Sequence, residues 1–167
     1  HLSMPGYIKK TLLLFGKKSD IYRPCHTPHP YTPPSYGKKI QLAVQESTAP
    51  ILPPADITEI QQVVGRVLYY GRAIDNNLLM SLNTVASQQS KATKHTKMLV
   101  EHLLKYCATY PDAVLTYHAS DMLLHIHTDA SFLSEPGAKS RAGGFFFLTS
   151  KTENIKNVPL NAPIHVL

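Results

Sequence analysis

The sequence predicts an α+β fold in which a helical region precedes an antiparallel sheet. Three observations carry this. From Asp56 to Tyr110 the apolar residues recur every three or four positions, as one face of a helix requires. After Pro111 they alternate at every second position, as a half-buried strand requires. Between these patterns and the N-terminus, prolines 24, 28, 30, 33, 34, 50, 53 and 54 fall in one stretch. Proline removes backbone donors and biases its predecessor away from helix, so this stretch reads as a linker or extended arm.

Residues 5–16 read as a short helix, with Pro5 in the first turn, Ile8, Leu12 and Phe15 on one stripe, and Gly16 ending it. Asp56-Ile57-Thr58-Glu59 has capping-box spacing, with Asp56 as the N-cap of a second helix. Its face carries Ile57, Ile60, Val64, Val67, Leu68 and Gly71. Asp75 caps a third helix, with Leu78, Leu79, Leu82, Val85 and Ala86 facing inward. A fourth spans about 94–109. Leu99, Leu103, Tyr106 and Cys107 face its core side, while Lys94, Lys97, Glu101 and Lys105 could form weak i,i+4 ion pairs on the other. Strands are expected at 114–117, 122–129 and 141–148, the last two flanking a turn-rich segment from Ser134 to Lys139. A further strand opens at Pro163, and its unpaired, apolar edge predicts a tendency to associate.

Composition narrows the function classes. The chain has 167 residues, and its 17 Lys+Arg against 11 Asp+Glu suit a polyanionic partner. Two distant cysteines, Cys25 and Cys107, make no disulfide framework and fit a reducing compartment. No apolar run approaches the roughly 18–20 residues of a membrane span, and no signal peptide or membrane partner is expected. Lys91, Lys94, Lys97 and Arg141 are the candidate phosphate contacts, with Tyr22, Tyr31 and Tyr36 available for base stacking.

Asp129 is the sharpest local feature: a carboxylate on an apolar strand beside small residues, where a metal or phosphate could approach. The plainer alternative is an aspartate opening a turn. A third possibility takes His125, His127 and Asp129 as zinc ligands, since alternate strand residues share a face. This resembles the metallo-β-lactamase pattern, which requires a histidine where this chain has Ala130. Cys25-His26 with His29 could be half of another zinc site, although the spacing fits no finger pattern.

Gly65-Arg66-Val67-Leu68-Tyr69-Tyr70, Arg72-Ala73-Ile74-Asp75, Leu103-Leu104-Lys105-Tyr106 and the strand ending in Asp129 follow one another in a specific order. That order and spacing resemble the copia-type LTR-retrotransposon polyprotein where polymerase joins RNase H. Ser140 to Phe145 resembles that family's next strand, and Ser3 to Ile8 the stretch after the polymerase palm. Where the family carries proline after the arginine, this chain has Ala73-Ile74.

The resemblance implies four segments. Residues 1–16 would be a thumb-like end of the reverse transcriptase, 17–55 a linker, 56–110 a helical connection, and 111–167 the first antiparallel strands of an incomplete RNase H-like α/β sheet. It also implies RNA-directed DNA synthesis and hydrolysis of RNA–DNA hybrid in the parent protein, using Mg²⁺ or Mn²⁺ held by carboxylates. Asp129 would be the first of these, both catalytic and metal-binding. The paired aspartates of the polymerase would lie before His1 and the remaining RNase H carboxylates beyond Leu167; Glu135 and Glu153, on expected loops, are poor substitutes. The chain alone is therefore expected to be inactive and to hold no metal stably. Its implied partners are RNA–DNA hybrid or single-stranded nucleic acid and the rest of the polyprotein, in a cytoplasmic virus-like particle or the nucleus. The alternative is a non-catalytic nucleic-acid-binding or interaction module derived from a retroelement.

Overall fold

A computed structural model describes residues 1–16, 23–31, 49–135, 139–152 and 158–167. The chain divides into two units. Among the described residues, one comprises 2–31 and 49–114, and the other comprises 115–167 with His1. The expected α+β class holds: among the described residues the helices lie in the first unit and a three-stranded antiparallel sheet in the second.

The helical unit begins with a two-residue strand, β1 (Leu2–Ser3), paired with β2 (Val114–Leu115). Helix α1 (Tyr7–Leu14) is shorter than the expected 5–16, because Gly6 sits at its N-cap with φ 73°. Ile8 and Leu12 are buried as their spacing requires, and Gly16, at φ 65°, stands just past the helix end.

Helix α2 (Pro54–Ala73) begins two residues before the expected cap. Asp56 is not the N-cap: Pro54 takes the first turn, where its missing N–H costs nothing. Asp56 lies in that turn, where a carboxylate suits the positive helix end, and Lys97 Nζ donates to its Oδ1 at 2.8 Å. Lys97 therefore ties α4 to α2 through a short ion pair. Ile60, Val64 and Val67 are buried as expected, and Val63 and Tyr70 join them. Gly71 lets α3 (Leu79–Gln88) approach closely, since a Cβ there would lie 3.1 Å from Leu82 Cδ1.

Asp75 does cap the next segment. Its Oδ1 accepts from Asn77 N at 3.3 Å and from Asn77 Nδ2 at 3.0 Å, at the head of a single 3₁₀ turn, Asn76–Leu78. Burial raises this carboxyl above its ordinary value of 3.8, against those two hydrogen bonds. A carboxyl raised on folding contributes stability that is lost as pH climbs through its folded value. Asp75→Asn keeps the accepting oxygen and drops the charge. Its chemical-denaturation stability should gain on wild type as pH rises from below 3.8 towards neutrality. Asp75→Ala should lose about 1 kcal/mol with the cap.

Helix α4 (Lys94–Thr109) matches the expected span. Thr93 and Thr96 form a reciprocal capping box, and Leu99, Val100, Leu103, Leu104, Tyr106 and Cys107 are buried. Residues 23–31, read as part of an arm from their prolines, pack on these helices. Ser81 Oγ donates to Pro28 O at 2.8 Å and Cys25 N to Thr109 Oγ1 at 2.9 Å. The rest of that proline-rich stretch, 32–48, lies outside the described residues.

In the second unit, β3 (Leu123–Glu135), β4 (Lys139–Thr149) and β5 (Pro163–Val166) form a meander in that spatial order. β3 runs beyond the expected 122–129, so Glu135 belongs to a strand rather than a loop. Register pairs His125 with Phe147, His127 with Phe145 and Asp129 with Gly143. Alternation therefore gives β3 one face of His125, His127 and Asp129, and another of Leu124, Ile126 and Thr128. Phe147 is fully buried, with His125 and His127 ring centroids 5.1 and 5.5 Å from its own. On this face His125 is half-buried against Phe147 while His127 and Asp129 are exposed, and Leu124 and Ile126 on the other face are exposed as well.

Candidate functional site

Two regions could carry chemistry, one in each unit. In the helical unit, successive turns of α4 place Lys94, His95, Met98, Glu101, His102 and Lys105 along one side, because residues three and four apart share a helix face. With Lys97, Leu99 and Pro30 they line a groove of about 620 Å³. Lys94 and His95 are exposed, and Met98, 67% exposed, and buried Leu99 add apolar surface to the lining. Lys97 is neutralised by Asp56, whose hydrogen bond raises the ammonium's affinity for its proton. Tyr31, which follows Pro30 at the groove, is 80% exposed.

Cys25 and His102 hold the 23–31 segment at this groove. Thr27 O receives His102 Nε2 at 2.9 Å and Cys25 Sγ at 3.3 Å, and the two side chains lie 3.4 Å apart. A carbonyl only accepts, so Nε2 carries the proton. His29 turns to Pro30 O instead, and His26 to Tyr110 Oη at 2.6 Å. Cys25, His26 and His29 therefore do not converge. Cys107 is buried, which pushes its thiol up to about 12 and leaves it inert.

In the sheet unit, Asp129 is exposed on β3, and its Oδ1 accepts from Ala130 N at 2.8 Å. His125 and His127 meet edge to face, with centroids 5.0 Å apart. Among the described residues no three His, Cys, Asp or Glu side chains are placed to share a metal ion. Asp121, before β3, has its carboxylate engaged by Lys151 N at 3.0 Å. A two-metal hydrolytic centre needs several convergent carboxylates, and this donor set does not fit one. No metal-dependent step is assigned to it.

Of the expected phosphate contacts, Lys94 and Lys97 line the groove. Lys91 is exposed in the turn before α4, and Arg141 stands on β4 opposite Ser131. Tyr22, Tyr36, Lys17, Lys18, Lys38, Lys39 and Glu153 lie outside the described residues. Sequence reasoning passed over His95, Met98 and His102, although their helical spacing from Lys94 was available. Pro30 had no such signal, since only tertiary packing brings it there.

Family models, curated proteins and solved structures offer no match to this chain. Among the described residues no helix is long and apolar enough to cross a membrane.

Proposed function

We propose that this chain is a retroelement polyprotein segment whose helical unit binds single-stranded nucleic acid or RNA–DNA hybrid. The observation that carries this is the α4 groove, lined by Lys94, His95 and Lys105 together with Met98, Leu99 and Pro30, the residue before exposed Tyr31. Cations track the phosphates while an aromatic ring offers a sequence-tolerant stacking surface. In this reading residues 56–110 are the connection region. The β3–β4–β5 meander is the opening of an RNase H-like sheet, and Asp129 occupies the position of its first metal ligand. The resemblance supports that assignment, together with the order of helices followed by an antiparallel meander. Mg²⁺ or Mn²⁺ and an intracellular setting belong to the parent activity.

The test is binding of a labelled RNA–DNA hybrid and a single strand across a salt series. Affinity should fall steeply with salt, and Lys94→Glu with Lys105→Glu should flatten the logarithmic slope by about 2 for hybrid. Unchanged slope and affinity in that double variant would remove the groove from the interface. No Mg²⁺- or Mn²⁺-dependent hybrid cleavage is expected from the chain alone. Equal binding to any polyanion would instead favour a general interaction module.

A further inference from the structure

We infer that the open edge of β3 pairs with β3 of a second copy of this chain, in an antiparallel ladder centred on Thr128. This inference stands on the sheet alone and is independent of the nucleic-acid reading. Among the described residues, the spatial order β3–β4–β5 leaves β3 at the sheet edge. Its outward-facing backbone groups follow from one hydrogen bond. Leu167 N donates to Gly144 O at 2.9 Å, so the polar groups of Gly144 face β5. Thr128 opposes Gly144, which makes this a non-hydrogen-bonded pair between β3 and β4. The N–H and C=O of Thr128 therefore face the open edge, and by alternation so do those of Leu124, Ile126 and Ala130. Ala130 agrees, since its N–H goes to the Asp129 side chain rather than to β4.

The strand is self-complementary about Thr128. A two-fold there sets Thr128 opposite its copy and Ile126 opposite Ala130 as hydrogen-bonded pairs, and brings Leu124 towards Phe132, where the β3 register begins to shift. Leu124, Ile126 and Phe132 are 56%, 47% and 76% exposed, so apolar surface meets apolar surface. The non-hydrogen-bonded pairs between them, where side chains come closer, place His127 opposite Asp129 twice. A centre on His127 would oppose two histidines, and one on Asp129 two carboxylates. The Thr128 register faces each carboxylate with an imidazole and opposes neither two histidines nor two carboxylates. Asp129 caps Ala130 N–H while the edge is open; on pairing, Ala130 N–H goes to Ile126 of the second copy and the carboxylate is released to His127. A two-fold interface closes at two chains.

Sedimentation velocity of the full chain over a wide concentration range tests this. A reversible monomer–dimer equilibrium is expected. Thr128→Pro removes an outward N–H while sparing the β4 ladder, and should leave monomer where wild type dimerises. His127→Asp sets like charges opposite each other and should weaken the dimer by about tenfold or more. The double variant His127→Asp with Asp129→His re-creates the pairing in exchanged positions and should restore it. The charge exchange decides the matter if Thr128→Pro disturbs the sheet, as judged by circular dichroism. Monomer at every concentration, open-ended polymers, or a dimer indifferent to the charge exchange would each overturn the inference.

Discussion

Phe147→Ala is expected to unfold the three-stranded sheet while leaving the helical unit intact. Phe147 is the one large hydrophobic side chain of the described sheet residues that is fully buried, and among those residues Thr149 is the other buried one besides glycine. Its ring gathers those of His125, His127 and Phe145, with centroids 5.1, 5.5 and 5.4 Å away. Removing a buried phenylalanine costs about 3–5 kcal/mol. A three-stranded sheet with so little core has no comparable reserve, because small sheets depend on one packed face. Amide exchange should show the protection of β3, β4 and β5 lost, with that of α2, α3 and α4 retained. Ile126→Ala is the control: its side chain is 47% exposed, and a change of only about 0.5 kcal/mol is expected for such a position. Wild-type protection of the sheet amides in Phe147→Ala would show that the unit is held by something other than this aromatic cluster.

Tyr70→Ala should have an effect of similar size on the helical unit. Tyr70 is 1% exposed and stacks on Tyr7 with centroids 5.8 Å apart and planes 6° from parallel. Its hydroxyl accepts from Ala113 N at 3.0 Å and donates to Pro111 O at 3.4 Å. It thus joins α2 to α1 and to the segment after α4. Truncation to alanine removes the ring and orphans both backbone groups, for a loss of about 3–5 kcal/mol. Tyr70→Phe keeps the ring and should lose only about 1 kcal/mol. Cys107 reports the outcome. In the folded chain burial holds its thiol up at about 12, so alkylation should be slow. In Tyr70→Ala it should accelerate towards the unfolded rate, and in Tyr70→Phe much less. Equal protection of Cys107 in the alanine variant would show that Tyr70 does not organise this core.

What the sequence determined by itself is local. A period of three to four residues with a stop at Pro111 located α4, and alternate apolar residues located β3, because both signals arise within one element. The cap at Asp75 was legible for the same reason, since an N-cap bonds to its own next turn. The cap expected at Asp56 failed because Pro54 fits a first turn equally well, and capping spacing alone cannot rank the two. The resemblance pointed to Asp129 as a metal ligand. The fold leaves that carboxylate on its neighbour's N–H, with no convergent partners among the described residues.

Tertiary structure decided everything that depends on distant neighbours. Lys97 meets Asp56 from 41 positions away, and Pro30 closes a groove on α4 that no helical period contains. Most of all, alternation along β3 named two faces without saying which is covered. Phe147 is covered on the side where His125 and His127 lie against its ring, while Leu124 and Ile126 on the other face remain exposed. Burial is a property of what lies opposite, and the strand's own residues do not contain that information.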